Sequence, residues 1–121
     1  MLQLYTTKHK RNGERGNCLA AAFASILELQ IQDIPQFEEM TRETWRKAVV
    51  DWGYNNCINI QFSKERPKGY AIGVGVHPEG GLHAVVVLNG EFCFDVNGSD
   101  LFYVEHRYYI HVKRVKQSQV A

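Results

Sequence analysis

Residues 17–29 read Asn17-Cys18-Leu19-Ala20-Ala21-Ala22-Phe23-Ala24-Ser25-Ile26-Leu27-Glu28-Leu29. The stretch is rich in good helix formers. Leu19, Phe23, Ile26 and Leu27 fall on one side at helical spacing, and Ala20, Ala21 and Ala24 let a neighbour approach another side closely. A helix that is apolar over so much of its circumference is expected to pack against a sheet. Asn17 is placed to cap its start, which sets Cys18 in the first turn.

Toward the C-terminus, Pro35 ends the next segment. A second helix is expected from near Glu38 or Thr41, with an apolar stripe of Met40, Trp45, Ala48, Val49 and Trp52 and a stop at Gly53. Trp45 and Trp52 read as part of that core stripe. The period then changes. Ile58, Ile60 and Phe62 alternate with polar residues, and Tyr70, Ile72, Val74 and Val76 alternate mostly with small ones. Runs at 82–88 and 92–96 flank Asn89-Gly90, the strongest short hairpin signal in the chain, and an aromatic-rich run at 102–112 closes the sheet. Helices followed by antiparallel strands predict an α+β domain, with N-terminal helices packed on an antiparallel β-sheet.

The whole chain sets the frame for this pattern. Its 121 residues (13.9 kDa) are one domain's worth, 1–121, with no repeat, linker or low-complexity stretch. A chain of this size buries roughly two-thirds of its unfolded surface and needs no metal or disulfide to fold. Hydrophobic residues at 45% and charged residues at 22% exclude a disordered tail, a collagen-like chain or a coiled coil. No apolar run approaches the ~18 residues of a membrane span, and the start turns basic before a signal-peptide core can form. A membrane partner is therefore not expected. The formal charge of +1 argues against a protein built for phosphate backbones, so nucleic acid is not the expected partner either. Lys8, Lys10, Arg11 and Arg15, like Lys113, Arg114 and Lys116, read as solvated basic ends. Three cysteines, Cys18, Cys57 and Cys93, are an odd number with no C-x-x-C pair, which fits a reduced, cytoplasmic chain rather than a disulfide scaffold. The sequence carries no signal for an oligomeric state.

A cysteine at a helix start meets unpaired amide groups and the positive end of the dipole, which favour an anion, and the thiolate is the nucleophile. Cys18 has that position, whereas Cys57 and Cys93 lie in strand patterns. An activated thiolate needs a base, and the base needs an orienting group. His83 opens an apolar strand after Gly80-Gly81-Leu82, and Asp95 ends the strand that follows. The turn between them governs whether they meet. A two-residue loop, Asn89-Gly90, sets His83 opposite Val96 and Asp95 on the other face. A three-residue loop, Leu88-Asn89-Gly90, with a glycine bulge, sets His83 directly opposite Asp95. We therefore expect the three-residue loop. Asn97 is the alternative orienter, and Asp95 is otherwise a strand-ending turn residue. His77 reads as a loop residue, His9 as exposed, and His106 and His111 as strand residues. Cys18, His83 and Cys93 are not spaced like common zinc ligands, so no metal and no cofactor is implied.

The segment GNCLAAAFASILELQIQDIPQF (residues 16–37), with GLHAVVVLNGEFCFDVNGS (residues 81–99), resembles small bacterial and phage papain-like cysteine peptidase-type proteins. Those chains carry a G-[DN]-C-x-x-A-x-x-A-S-[IL]-L-x-[LI] helix, an I/V-P-x-F segment, and later G-x-H-A-V-V with a short hairpin ending in an aspartate. The resemblance implies a papain-like fold with Cys18 as nucleophile, His83 as general base and Asp95 as orienter. It also implies an upstream glutamine that helps stabilise the oxyanion. Here that stretch reads Leu4-Tyr5-Thr6-Thr7-Lys8, with Thr6 at the expected place; Thr6, Asn12, Asn17 and the Cys18 backbone amide are the remaining donor candidates. Loss of one such donor typically costs ~10²–10³ in turnover. Two functions are expected from this pattern. One is a thiol hydrolase cleaving an amide, isopeptide or thioester bond in a peptide or protein substrate, with Tyr5, Gly80-Gly81-Leu82 and Asn97-Gly98 walling the cleft. The other is a non-catalytic binding module or inhibitor on the same fold.

Overall fold

A computed structural model describes residues 1–7, 16–41, 43–78, 80–98, 103 and 105–115. Asn12, His9 and the whole N-terminal basic cluster lie outside those residues, as do Lys116 and Phe102.

Helix α1 spans Cys18–Leu27, and every residue from Leu19 to Leu27 except Ile26 is buried. Glu28 stops it in the left-handed conformation (φ 57°), with its amide bonded to the Ala24 carbonyl. Asn17 stands at the N-cap position but makes no side-chain bond to the helix. Its amide is held instead by Thr7, whose N–H donates to Asn17 Oδ1 (3.1 Å) and whose Oγ1 accepts from Nδ2 (2.8 Å).

The chain after α1 departs from the expected second helix. Two short 3₁₀ turns come first, Ile31–Asp33 and Phe37–Glu39, and helix α2 starts only at Trp45 and runs to Asn55. Phe37 and Glu38 are both drawn inward, Phe37 into the aromatic cluster with Phe23 and Trp52 and Glu38 onto α1, and Met40 then turns extended (φ −85°, ψ 162°). That demand breaks the backbone where periodicity alone would start a helix. Gly53 is not the stop either. It lies inside α2, where a Cβ would sit 2.7 Å from the Ile58 carbonyl oxygen and from Ile60 Cδ1, so glycine lets the helix press onto the sheet.

Five strands form one antiparallel sheet among the described residues: β1 (Ile58–Ser63), β2 (Tyr70–Val76), β3 (Leu82–Leu88), β4 (Glu91–Phe94) and β5 (Glu105–Arg114), in the order β1-β5-β2-β3-β4. The α+β class with helices on an antiparallel sheet is thus as expected, with the last strand inserted between the first two. One face carries Ile58, Ile60, Ile72, Val74, Ala84, Val86 and Ile110 and packs with the buried residues of α1 and Val49 of α2. On the other, Ala71, Val85 and Val87 are covered by Phe92, Tyr103 and Tyr109. None of the described helices is long and apolar enough to cross a membrane.

The β3–β4 turn overturns the expected three-residue loop. Leu88 pairs with Glu91 across a two-residue turn. Asn89 (φ 54°) and Gly90 (φ 80°) are both left-handed, as a type I′ hairpin turn requires. Asn89 Oδ1 accepts the Gly69 N–H (2.7 Å), which pins the turn to the loop before β2. The register then slips by one residue. Val87 faces Phe92 but Val86 faces Phe94, leaving Cys93 as the extra residue of a β-bulge.

Candidate active site

The bulge governs where Asp95 points. With a two-residue turn and no bulge, Asp95 would fall on the face opposite His83. The extra residue restores the parity, so Asp95 and His83 share a face as diagonal neighbours, in reach of each other although not directly opposite. His83 Nε2 and Asp95 Oδ1 are 2.8 Å apart, with His83 3% exposed and the Asp95 side chain fully buried. The same Oδ1 accepts the Asn97 N–H at 2.8 Å, and the Asp95 carbonyl accepts Gly98 N–H at 2.9 Å. Asp95 is therefore both a turn residue and the partner of His83. Asn97, the alternative orienter, accepts the Thr6 hydroxyl instead (3.1 Å).

Cys18 lines the same cleft as His83 and stands close enough to its imidazole to favour the ring's protonated form. Asp95 holds that ring through Nε2. Burial opposes charge on the ring, but the hydrogen bond to the Asp95 carboxylate, the neighbouring Cys18 and the Asp95 charge outweigh it and push the His83 pKa up to about 9. Cys18, His83 and Asp95 are thus brought to one region, from α1, β3 and the end of the β3–β4 hairpin.

Cys18 and His83 open on a cleft of about 390 Å³. Gly81 and Leu82 line it as expected, but Gly80, Tyr5, Asn97 and Gly98 are not among its lining residues. Tyr5 packs edge-on against Phe94 instead, with ring centres 6.1 Å apart. Glu38, Met40, Trp45 and Tyr108 line it as well. Trp45 was legible only as a core residue; it is half-buried, stacks edge-on with Phe62 (5.5 Å), and still reaches the cleft. His77 was missed as well: its ring stands edge-on to His83 with centres 5.2 Å apart. A histidine six residues before another across a Gly-Gly turn was the available signal.

Neither described side-chain candidate for the oxyanion, Thr6 or Asn17, lines the cleft. Thr6 is buried, its N–H bonded to the Val96 carbonyl (2.9 Å) and its hydroxyl to Asn97, so it braces the turn that carries Asp95. Asn17 braces the N-terminal segment through Thr7. Asn12 lies outside the described residues.

Glu38 is the charged group that sequence reasoning passed over. Its Oε2 accepts the Leu19 N–H at 2.9 Å, which makes it the cap of α1 in place of Asn17. Burial raises its carboxyl above the usual carboxylate range, against the pull of the amides of Glu38, Leu19 and Ala20. Among the described residues no three His, Cys, Asp or Glu side chains are grouped to hold a metal ion. Comparison with protein-family models, curated proteins and solved structures returns no match.

Proposed function

We propose that the chain is a papain-like thiol hydrolase that cleaves an amide, isopeptide or thioester bond in a peptide or protein, working in the cytoplasm. The observation that supports this is that His83, hydrogen-bonded to the buried Asp95, shares a mostly apolar cleft with Cys18. Asp95 holds the imidazole through Nε2 and favours its protonated form, so the Cys18 thiolate can stand beside an imidazolium. The thiolate attacks the carbonyl carbon. As the tetrahedral intermediate collapses, the bond to the leaving group breaks and His83 delivers its proton to that group. His83 then takes a proton from water, which attacks the acyl-enzyme and releases the acid and the thiol. The backbone amide of Cys18 faces the developing oxyanion.

A mechanism-based thiol probe should label Cys18 far faster than Cys57 or Cys93. Equal labelling of the three, or labelling unaffected by His83→Ala, overturns the proposal. Activity on a panel of peptide, ubiquitin-like and thioester substrates, with Cys18→Ala as control, assigns the bond.

The position of Thr6 supports a second reading. With Thr6 at the glutamine's expected place and its hydroxyl committed to Asn97, the same fold serves as a binding module or inhibitor. A partner captured equally well by wild type and Cys18→Ala, with no turnover across the panel, supports that reading.

A further inference from the structure

The turn at residues 36–38 touches the cysteine segment on both sides. Gln36 Nε2 donates to the carbonyl of Gly16 (3.1 Å), two residues before Cys18, and Glu38 Oε2 accepts the N–H of Leu19, one residue after it. Between them Phe37, 1% exposed, is set edge-on against Phe23 of α1 and Trp52 of α2, with ring centres 6.2 and 5.9 Å away. The two polar contacts are therefore held by a buried aromatic anchor rather than by a mobile loop. Glu38 also lines the same cleft as Cys18, His83 and Tyr108, where the other walls are mostly apolar.

From this bracket we propose that Gln36 and Glu38 position Cys18, and that the Glu38 carboxylate makes the cleft discriminate against anionic groups, so its substrates are neutral or cationic around the reacting carbonyl. The inference rests on Cys18 being the reactive thiol. A helix start normally favours an anion, but here its Leu19 amide is already occupied by a carboxylate. An incoming anion therefore meets a like charge in a partly dry site, whereas an ammonium or guanidinium group gains from it. Glu39, the neighbouring acid on the turn, is exposed and adds to the same sign.

The test is the rate of Cys18 alkylation by neutral iodoacetamide and anionic iodoacetate, read by mass spectrometry with Cys57 and Cys93 as internal references. Glu38→Gln keeps an acceptor for the Leu19 amide and removes the charge. It should raise the iodoacetate-to-iodoacetamide ratio at Cys18 by roughly three- to tenfold and leave the ratio at the other two cysteines alone. Gln36→Ala, which loosens Gly16 without changing charge, should slow both reagents together at an unchanged ratio. An unaltered ratio in Glu38→Gln overturns the discrimination, and unaltered rates in Gln36→Ala overturn the positioning. These failures are separable from that of the hydrolase proposal, which falls when wild-type Cys18 reacts no faster than Cys57 and Cys93.

Discussion

Phe92 and Phe94 are two residues apart on one strand and pack on opposite faces of the sheet, Phe92 over Val87 and Phe94 in the helix-side core. Regular alternation would put them on the same face. The bulge at Cys93 separates them, and the same half-turn brings Asp95 to His83.

Deleting Cys93 should therefore uncouple the pair. The strand would run in unbroken register, Asp95 would face away from His83, and the imidazole pKa should fall from about 9 back toward its ordinary 6.5. Titration of the His83 ring protons by NMR reads this directly. An unmoved titration in a folded deletion variant would show that the bulge is dispensable.

The His83 pKa also predicts how stability depends on pH. The ring binds its proton more tightly in the folded chain, about 9 against 6.5. Its contribution is thus complete below about pH 6.5 and is lost as pH rises through about 9. Urea midpoints should decline between those limits in wild type and decline less in Asp95→Asn, which removes the charged acceptor.

At Gly53 the limiting factor is space. A methyl group there would meet the Ile58 carbonyl and the Ile60 side chain at 2.7 Å, so Gly53→Ala should lift α2 off β1 and cost about 1–3 kcal/mol, despite alanine's better helix propensity. Equilibrium urea unfolding checks the sign, which helix propensity alone would predict to be opposite.

Removing the anchor of the 36–38 turn should cost more. Phe37→Ala empties a buried site between Phe23 and Trp52 and should lower stability by about 3–5 kcal/mol. Its effect on Cys18 alkylation should resemble that of Gln36→Ala, both reagents slowing together, since the turn that carries both contacts loses its seat.

A smaller effect is expected at Thr6. Thr6→Val keeps the shape and removes the hydrogen bond to Asn97, for a loss of about 1 kcal/mol. Because the contact braces the Asp95 turn from outside the cleft, the fall in thermal stability should come with little change in Cys18 labelling.

Local pattern was enough for α1, for the extents of β1, β2 and β3, and for the α+β class, because hydrophobic period and helix propensity are properties of neighbouring residues. It also picked out Cys18, His83 and Asp95, each marked by its position at the end of an element. What it could not supply was geometry that depends on distant chain. Asn89-Gly90 correctly announced a tight turn, yet the bulge three residues later depends on whether Phe92 and Phe94 find better burial on opposite faces, and those faces exist only once α1 and Tyr103 have packed. Glu38 likewise reads only as a place near which a helix starts until Phe37 is drawn between Phe23 and Trp52 and delivers the carboxylate to Leu19. Asn17, the expected cap, turned to Thr7 instead. Short-range preference thus determined which segments are helix and strand and which residues stand at their ends; the competition for buried surface and for unpaired amides, settled only in the packed chain, decided which of those ends meet.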